Sequence, residues 1–246
     1  MHDASILVHQ LSKSIRMHDD VEVVLAPSLL HIQALNHEID HRKFKLAAQN
    51  AFHKDIGAYT GEVSFAMLHN LVEYVIVGHS ERRLHFSESL ETVRDKVTAG
   101  IRNNLTPILC VGETHVERKA GETKQVLHDQ IMSALSNLTS EDIERVVIAY
   151  EPVWAISTFG GELAKPDDVK KSIDYIRLQI AELYGEKAAQ AVRILYGGSV
   201  DDQIAKGYLS IDGCDGALVG SASLSHHKFA GIVASAHAVA REQHER

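Results

Sequence analysis

The chain has 246 residues, with 25 Lys or Arg against 33 Asp or Glu, and so a formal net charge of −8 at neutral pH. At 45% hydrophobic and 24% charged it has ordinary globular composition, which excludes a disordered chain and argues against a basic nucleic-acid surface. The two cysteines, Cys110 and Cys214, are too few for a disulfide framework and fit a reducing compartment. The opening Met1-His2-Asp3-Ala4 lacks the basic region and apolar run of a secretory signal, and no stretch nears the roughly 20 apolar residues of a membrane span. A cytoplasmic protein that engages neither membrane nor nucleic acid is expected.

A helical pattern opens the chain over Ala4–Arg16. Short apolar runs then alternate with longer amphipathic stretches. The runs Val21–Ala26, Lys45–Gln49, Tyr74–Val77, Thr106–Val111, Val146–Tyr150, Arg193–Tyr196 and Ala217–Val219 are mostly rich in Val, Ile and Leu without polar alternation, as in parallel strands buried on both faces. Between them the pattern predicts helices over Leu90–Asn103, Thr123–Leu138, Asp167–Tyr184 and Lys228–Arg241. Lys165-Pro166-Asp167-Asp168 places a proline and two acids where a helix starts, and Gly185 stands where it stops. No linker interrupts the series, so residues 1–246 read as one domain. Sustained strand–helix alternation implies a parallel α/β fold, either a closed barrel or an open doubly wound sheet. No G-x-G-x-x-G follows the first strand, which counts against a dinucleotide-binding sheet. A (β/α)8 barrel suits the length, since such barrels typically run to about 250 residues. Only seven strands are apparent, however, and the chain begins with a helix.

Barrel enzymes carry their chemistry at the C-terminal ends of strands. Those ends hold His79, Glu113 and Glu151, together with the turns Gly197-Gly198-Ser199 and Gly220-Ser221. Glycine serves any tight turn, but two Gly/Ser turns on adjacent strands, each leading into a helix, offer backbone N–H groups suited to a phosphate. His79 stands near a helix N-terminus, whose field favours a neutral ring that can donate a hydrogen bond to a carbonyl oxygen. Glu151 precedes the apolar run Pro152–Ile156, where lost hydration makes a carboxylate a better base. A separate reading comes from His37-Glu38-Ile39-Asp40-His41, which fits the zinc-protease pattern H-E-x-x-H with His37 and His41 as ligands and Glu38 as base. Little helix is left after that motif, and no third ligand is evident.

The segments Tyr74–Arg83 (YVIVGHSERR), Ala149–Ile156 (AYEPVWAI) and Leu195–Val200 (LYGGSV) resemble the triosephosphate isomerase family. So do Ala48-Gln49-Asn50, Gly57–Glu62 (GAYTGE), Cys110–Glu113 (CVGE) and Leu218–Leu224 (LVGSASL), in order along nearly the whole chain. The resemblance implies a (β/α)8 TIM barrel that interconverts dihydroxyacetone phosphate and glyceraldehyde 3-phosphate through an enediolate, with no metal or organic cofactor. It makes Glu151 the base and His79 the electrophile; this pairing is an established example of the family's chemistry and not something the residues alone disclose. It assigns the phosphate to backbone N–H groups of Ser157, Ser199, Gly220 and Ser221, the mobile lid to Trp154–Leu163, and supporting roles to Glu81 and Tyr196, the latter latching the lid with Ser199. It also implies a homodimer, with Thr60 reaching into the neighbouring subunit.

The chain departs from the family in three places. The lid reads Ile156-Ser157-Thr158-Phe159-Gly160-Gly161 where the family has Ile-Gly-Thr-Gly, and it is about two residues longer, in a loop where insertions are tolerated. Ser221 replaces a second glycine. The Asn-Trp-Lys-Met segment of the family's first strand has no counterpart, and Lys13 lies within the first helix and does not replace its lysine. The expected fold is therefore a barrel without strand one, its gap flanked by Val21–Ala26 and Ala217–Val219. In-frame codons upstream of Met1 encoding that strand are expected. Should the chain truly start at Met1, a catalytically impaired phosphate-binding barrel is the alternative.

Overall fold

Seven parallel strands pair in sequence order in one sheet: β1 (Val24–Leu25), β2 (Lys45–Ala48), β3 (Tyr74–Val77), β4 (Thr106–Val111), β5 (Val147–Tyr150), β6 (Arg193–Tyr196) and β7 (Gly216–Ala217). The computed structural model describes residues 2–156 and 163–245. Helix α1 (His2–Ser14) precedes β1, and α2 (Leu29–Glu38) and α3 (Phe65–Leu68) flank β2. Helices α4 (Ser80–His85) and α5 (Leu90–Arg102) link β3 to β4. Helices α6 (His115–Ala120), α7 (Thr123–Leu135) and α8 (Ser140–Ile143) link β4 to β5. Helices α9 (Pro166–Tyr184), α10 (Glu186–Ala191), α11 (Ala205–Leu209) and α12 (His226–His244) complete the chain.

The two-residue alternation of a strand divides the core into two layers. Ala47, Tyr74, Ile76, Ile108, Cys110, Val147 and Ala149 point inward and pack together, with Val24, Ala26, Leu195 and Leu218 against them. Their neighbours Leu46, Ala48, Val75, Val77, Leu109, Val111 and Ile148 face outward into the larger core beneath the helices. Residues from all seven strands or their immediate ends thus meet on one interior, as in a barrel. At the N-terminal mouth, Arg193 at the start of β6 meets Glu22 (3.5 Å) and the Tyr74 hydroxyl (3.3 Å), and that hydroxyl donates to Glu22. The sheet therefore curls far enough for the approach to β1 to touch β6.

Among the described residues the sheet does not close: β1 pairs only with β2 and β7 only with β6, as expected of a gap between Val21–Ala26 and Ala217–Val219. Both end strands are shorter than the apolar runs suggest: Val24–Leu25 instead of Val21–Ala26, and Gly216–Ala217 instead of Ala217–Val219. A strand with one neighbour forms ladder bonds on one side alone, and pairing ends where that neighbour ends. Outside the sheet, α1 packs against both α12 and α2, with Leu11 and Ile15 buried, so the helical layer passes over the seam. In α9, Ile173, Ile176 and Ile180 are fully buried as their spacing predicts, whereas Leu183 in the last turn is exposed.

The H-E-x-x-H reading is corrected. Helix α2 ends at Glu38, and Ile39 has an extended backbone with ψ of 152°. His41 thus lies past the helix and does not share a face with His37; its Nε2 bonds the Asn36 carbonyl at 2.8 Å. Glu38 accepts a hydrogen bond from Ser5 (3.3 Å), and no grouping of metal-ligand atoms among the described residues includes this motif.

Candidate active site

Strand β3 ends at Val77, and the chain turns through Gly78 so that His79 becomes the N-cap of α4. Its Nδ1 accepts the Glu81 N–H at 3.4 Å. That acceptor role leaves the ring proton of the neutral form on Nε2. Across the mouth, β5 ends at Tyr150, and the Glu151 N–H extends the ladder by bonding Val111 O at 2.7 Å. The Glu151 carboxylate, 3% exposed, receives His79 Nε2 on Oε1 at 2.8 Å and the Ser80 N–H on Oε2 at 3.0 Å. The ends of two strands far apart in the chain thus meet in one hydrogen-bonded pair, His79 and Glu151.

Burial works against charge on His79, but the hydrogen bond and negative charge of Glu151, with a contribution from Glu81, raise its pKa above the ordinary 6.5. The positive end of α4 and burial oppose charge on this ring, and the contacting carboxylate favours it. Helix α4 has only six residues, and a full carboxylate charge in contact outweighs the partial charge of a short helix. Glu81 lies 3.9 Å from Nδ1 and is half exposed.

A second polar group joins α4 to α5. The Glu88 and Lys96 side chains are both buried and form an ion pair; Lys96 also donates to Asn50 (2.7 Å), and Arg82 meets Glu88 at 2.5 Å. This network fastens α5 to the segment that carries His79. Sequence reading missed it, because one lysine in an amphipathic helix reads as part of its solvated face. Behind Glu151, the buried Cys110 thiol is pushed well up by burial and by the neighbouring carboxylate, which leaves it an uncharged packing group.

On the far side, Glu113 is fully buried and accepts from Trp154 Nε1 (2.9 Å) and the Tyr150 hydroxyl (3.2 Å). Arg118 lies 3.5 Å from Glu113, stacks over the Trp154 ring at 4.0 Å and pairs with Asp168 at 2.7 Å. Trp154 therefore anchors the near end of the expected lid. At the far end, the Tyr208 hydroxyl donates to Ala164 O at 2.7 Å, and the Tyr196 ring stacks on Tyr208 at 4.2 Å. Ser157 and the rest of 157–162 lie outside the described residues. Among the described residues, the buried Tyr196 hydroxyl and Ser199 Oγ find no hydrogen-bond partner.

Both Gly/Ser turns stand where the strand ends put them. The Ser199 N–H donates to Ala155 O at 3.1 Å, so it is tied to the lid's near anchor. Gly220 precedes the short 3-10 helix Ser221–Leu224, whose first N–H groups have no acceptor within the helix. Lys13 is exposed in the last turn of α1, and Thr60 lies in an exposed turn closed by Glu62 N–H to Tyr59 O (3.0 Å).

The sequence profile of triosephosphate isomerase matches residues 1–236. The chain belongs to the triosephosphate isomerase family. A triosephosphate isomerase of Chloroherpeton thalassium is 47% identical over 216 residues, covering 87% of this chain and 85% of that protein. One of Citrifermentans bemidjiense is 44% identical over 232 residues, 94% and 92% of the two chains, and one of Dictyoglomus turgidum is 44% identical over 227 residues, 92% and 89%. For a triosephosphate isomerase, the strand ends carrying His79 and Glu151 are where the fold places its chemistry.

Proposed function

We propose that this chain interconverts dihydroxyacetone phosphate and glyceraldehyde 3-phosphate with Glu151 as the base and His79 as the electrophile. Family membership supports the reaction, and the 2.8 Å approach of Glu151 Oε1 to His79 Nε2 carries the residue assignment. A carbonyl oxygen set against Nε2 takes the hydrogen bond that Glu151 holds, which moves the carboxylate's charge off the ring and favours the neutral donor. Glu151 then removes the proton from the adjacent carbon, His79 gives its Nε2 proton to the enediolate oxygen and takes the proton of the neighbouring hydroxyl, and Glu151 returns its proton to the former carbonyl carbon as the second oxygen becomes the aldehyde. The phosphate falls to the N–H groups of Ser199, Gly220 and Ser221, joined by Ser157 of the lid, with Tyr196 and Ser199 as the latch. The Ser199 N–H becomes available when Ala155 O withdraws, which couples phosphate binding to the lid. A closed lid excludes water from the enediolate.

The homodimer is also a proposal. Ile56, Met67, Leu84 and Phe86 are 92%, 60%, 61% and 64% exposed and so available to a second copy. The loop bearing Thr60 is held at its base by Arg102 on Asp55 at 3.0 Å, and so can project as a fixed element into a second copy. Two unpaired, buried cysteines support a cytoplasmic location.

A coupled assay of triose phosphate turnover tests the reading. Glu151→Asp should lower kcat by roughly a hundredfold or more with little change in KM, since retracting the base by about an angstrom misplaces it. His79→Gln should slow turnover comparably. Wild-type rates in both variants would overturn the assignment, whereas phosphate binding without turnover in the unaltered chain would favour a non-catalytic barrel.

A further inference from the structure

The segment leading into β1 and the middle of α12 bring three metal-ligand side chains together at a place the isomerase chemistry does not use. His18 and Asp20 precede β1, at the N-terminal side of the sheet, while the candidate site lies at the C-terminal ends. His237 stands 11 residues after the start of α12, about 16 Å along the helix at 1.5 Å per residue. We propose that His18, Asp20 and His237 form a site for a divalent transition-metal ion of the zinc class, which clamps the approach to β1 onto α12.

One ligand atom from each residue lies within 4.8 Å of the others, the one such grouping of three among the described residues. His237 Nδ1 is 2.8 Å from Asp20 Oδ1, and the His18 and His237 rings stack with centroids 3.7 Å apart and planes 18° from parallel. Zinc bonds of about 2.0–2.1 Å in tetrahedral array set neighbouring ligand atoms roughly 3.3–3.5 Å apart. The donors therefore need to close by little more than an ångström, within reach of side-chain rotation on a half-exposed surface. On binding, His237 Nδ1 gives up its hydrogen bond to Asp20 and offers a lone pair, with the ring proton on Nε2.

Two imidazoles and one carboxylate select a borderline cation over calcium or magnesium, which prefer oxygen donors, and leave a fourth position for water. The donors border a cleft of about 560 Å³ that also reaches Asp19, Arg241 and His244. Arg241 in this cleft and Arg16 beside His18 oppose binding, and Arg241 is itself paired with Glu245 at 3.6 Å.

Titrating the full-length chain with zinc chloride in a calorimeter tests the proposal. One ion per chain is expected, with Asp20→Asn and His237→Gln each weakening binding about tenfold or more. Magnesium chloride should give no heat at the same concentrations. Zinc should raise the unfolding temperature of the unaltered protein, a chelator should reverse the rise, and Asp20→Asn, which preserves shape, should lessen it at the same zinc concentration. A control pair, His226→Gln with His227→Gln, removes another close imidazole pair (3.8 Å between centroids) and should leave binding intact. The proposal is overturned if the His18→Gln/His237→Gln double variant binds zinc as tightly as the original, if the control pair abolishes binding, or if the original binds none.

Discussion

Glu151 occupies space that two glycines leave open. A Cβ on Gly112 would lie 1.8 Å from the Glu151 carbonyl oxygen, and one on Gly197 would lie 2.9 Å from Glu151 Cγ. The first contact is with backbone and bears on folding. The second bears on where the carboxylate points. Gly197→Ala should therefore lower kcat by about 10- to 100-fold, as expected for a base displaced by a fraction of an ångström, while the unfolding midpoint in urea moves little. An unchanged kcat would show that the carboxylate tolerates the displacement. The raised pKa of His79 gives a second residue-scale expectation. A raised value keeps the imidazolium populated to higher pH, and turnover needs the neutral ring, so the acid limb of kcat/KM should lie above pH 6.5. Glu151→Gln removes the main cause of that rise, and NMR titration of His79 in this variant should give a lower pKa; an unchanged value would refute the electrostatic account. The positions of His79 and Glu151 were legible in the sequence because each ends an apolar run. Their mutual bond was not, and neither was its effect on the ring, because a chain pattern carries no distances between strand ends.

The lid's fixed ends define the next scale. Trp154 is the single tryptophan of the chain, and it is held by Glu113 and stacked against Arg118 at the near anchor. The proposed coupling of phosphate to a lid predicts a change in at least one of these contacts, because Ala155, the next residue, also holds the Ser199 N–H. Inorganic phosphate, titrated at concentrations that inhibit turnover, should therefore change the intrinsic fluorescence of Trp154. A constant spectrum through complete inhibition would separate the lid from the phosphate site. Periodicity revealed the interior strands well: β3, β4 and β6 match their apolar runs end for end. It failed at β1 and β7, where strand length follows the neighbour present and not the side chains. The bracing of Glu113 by Arg118 was equally hidden, since a buried carboxylate and a helical arginine look alike to any pattern of polarity.

At the scale of the molecule, the sheet is open while the helical layer is continuous. Among the described residues β1 and β7 each have one ladder partner, yet α1 crosses the seam with Leu11 and Ile15 buried, and the Ser14 hydroxyl meets His226 of α12 at 3.2 Å. Stability across the seam therefore rests on side-chain packing, whereas the strands opposite it are paired on both sides. Packing and pairing fail differently, and local opening follows the weaker of the two. Backbone amides of β4 and β5 should exchange with solvent only on global unfolding, and those of β1 and β7 should exchange faster, by local opening. Leu11→Ala sharpens the test, because it leaves a cavity beneath α1 at a cost of about 2–5 kcal/mol. If α1 holds the seam, this variant should speed exchange in β1 and β7 by more than its loss of global stability accounts for. Since the Gly220-Ser221 turn follows β7, KM for the triose phosphate should also rise before kcat falls as urea is added. Equal acceleration of exchange in all seven strands would instead mean that the molecule opens as one unit and that the seam has no separate weakness.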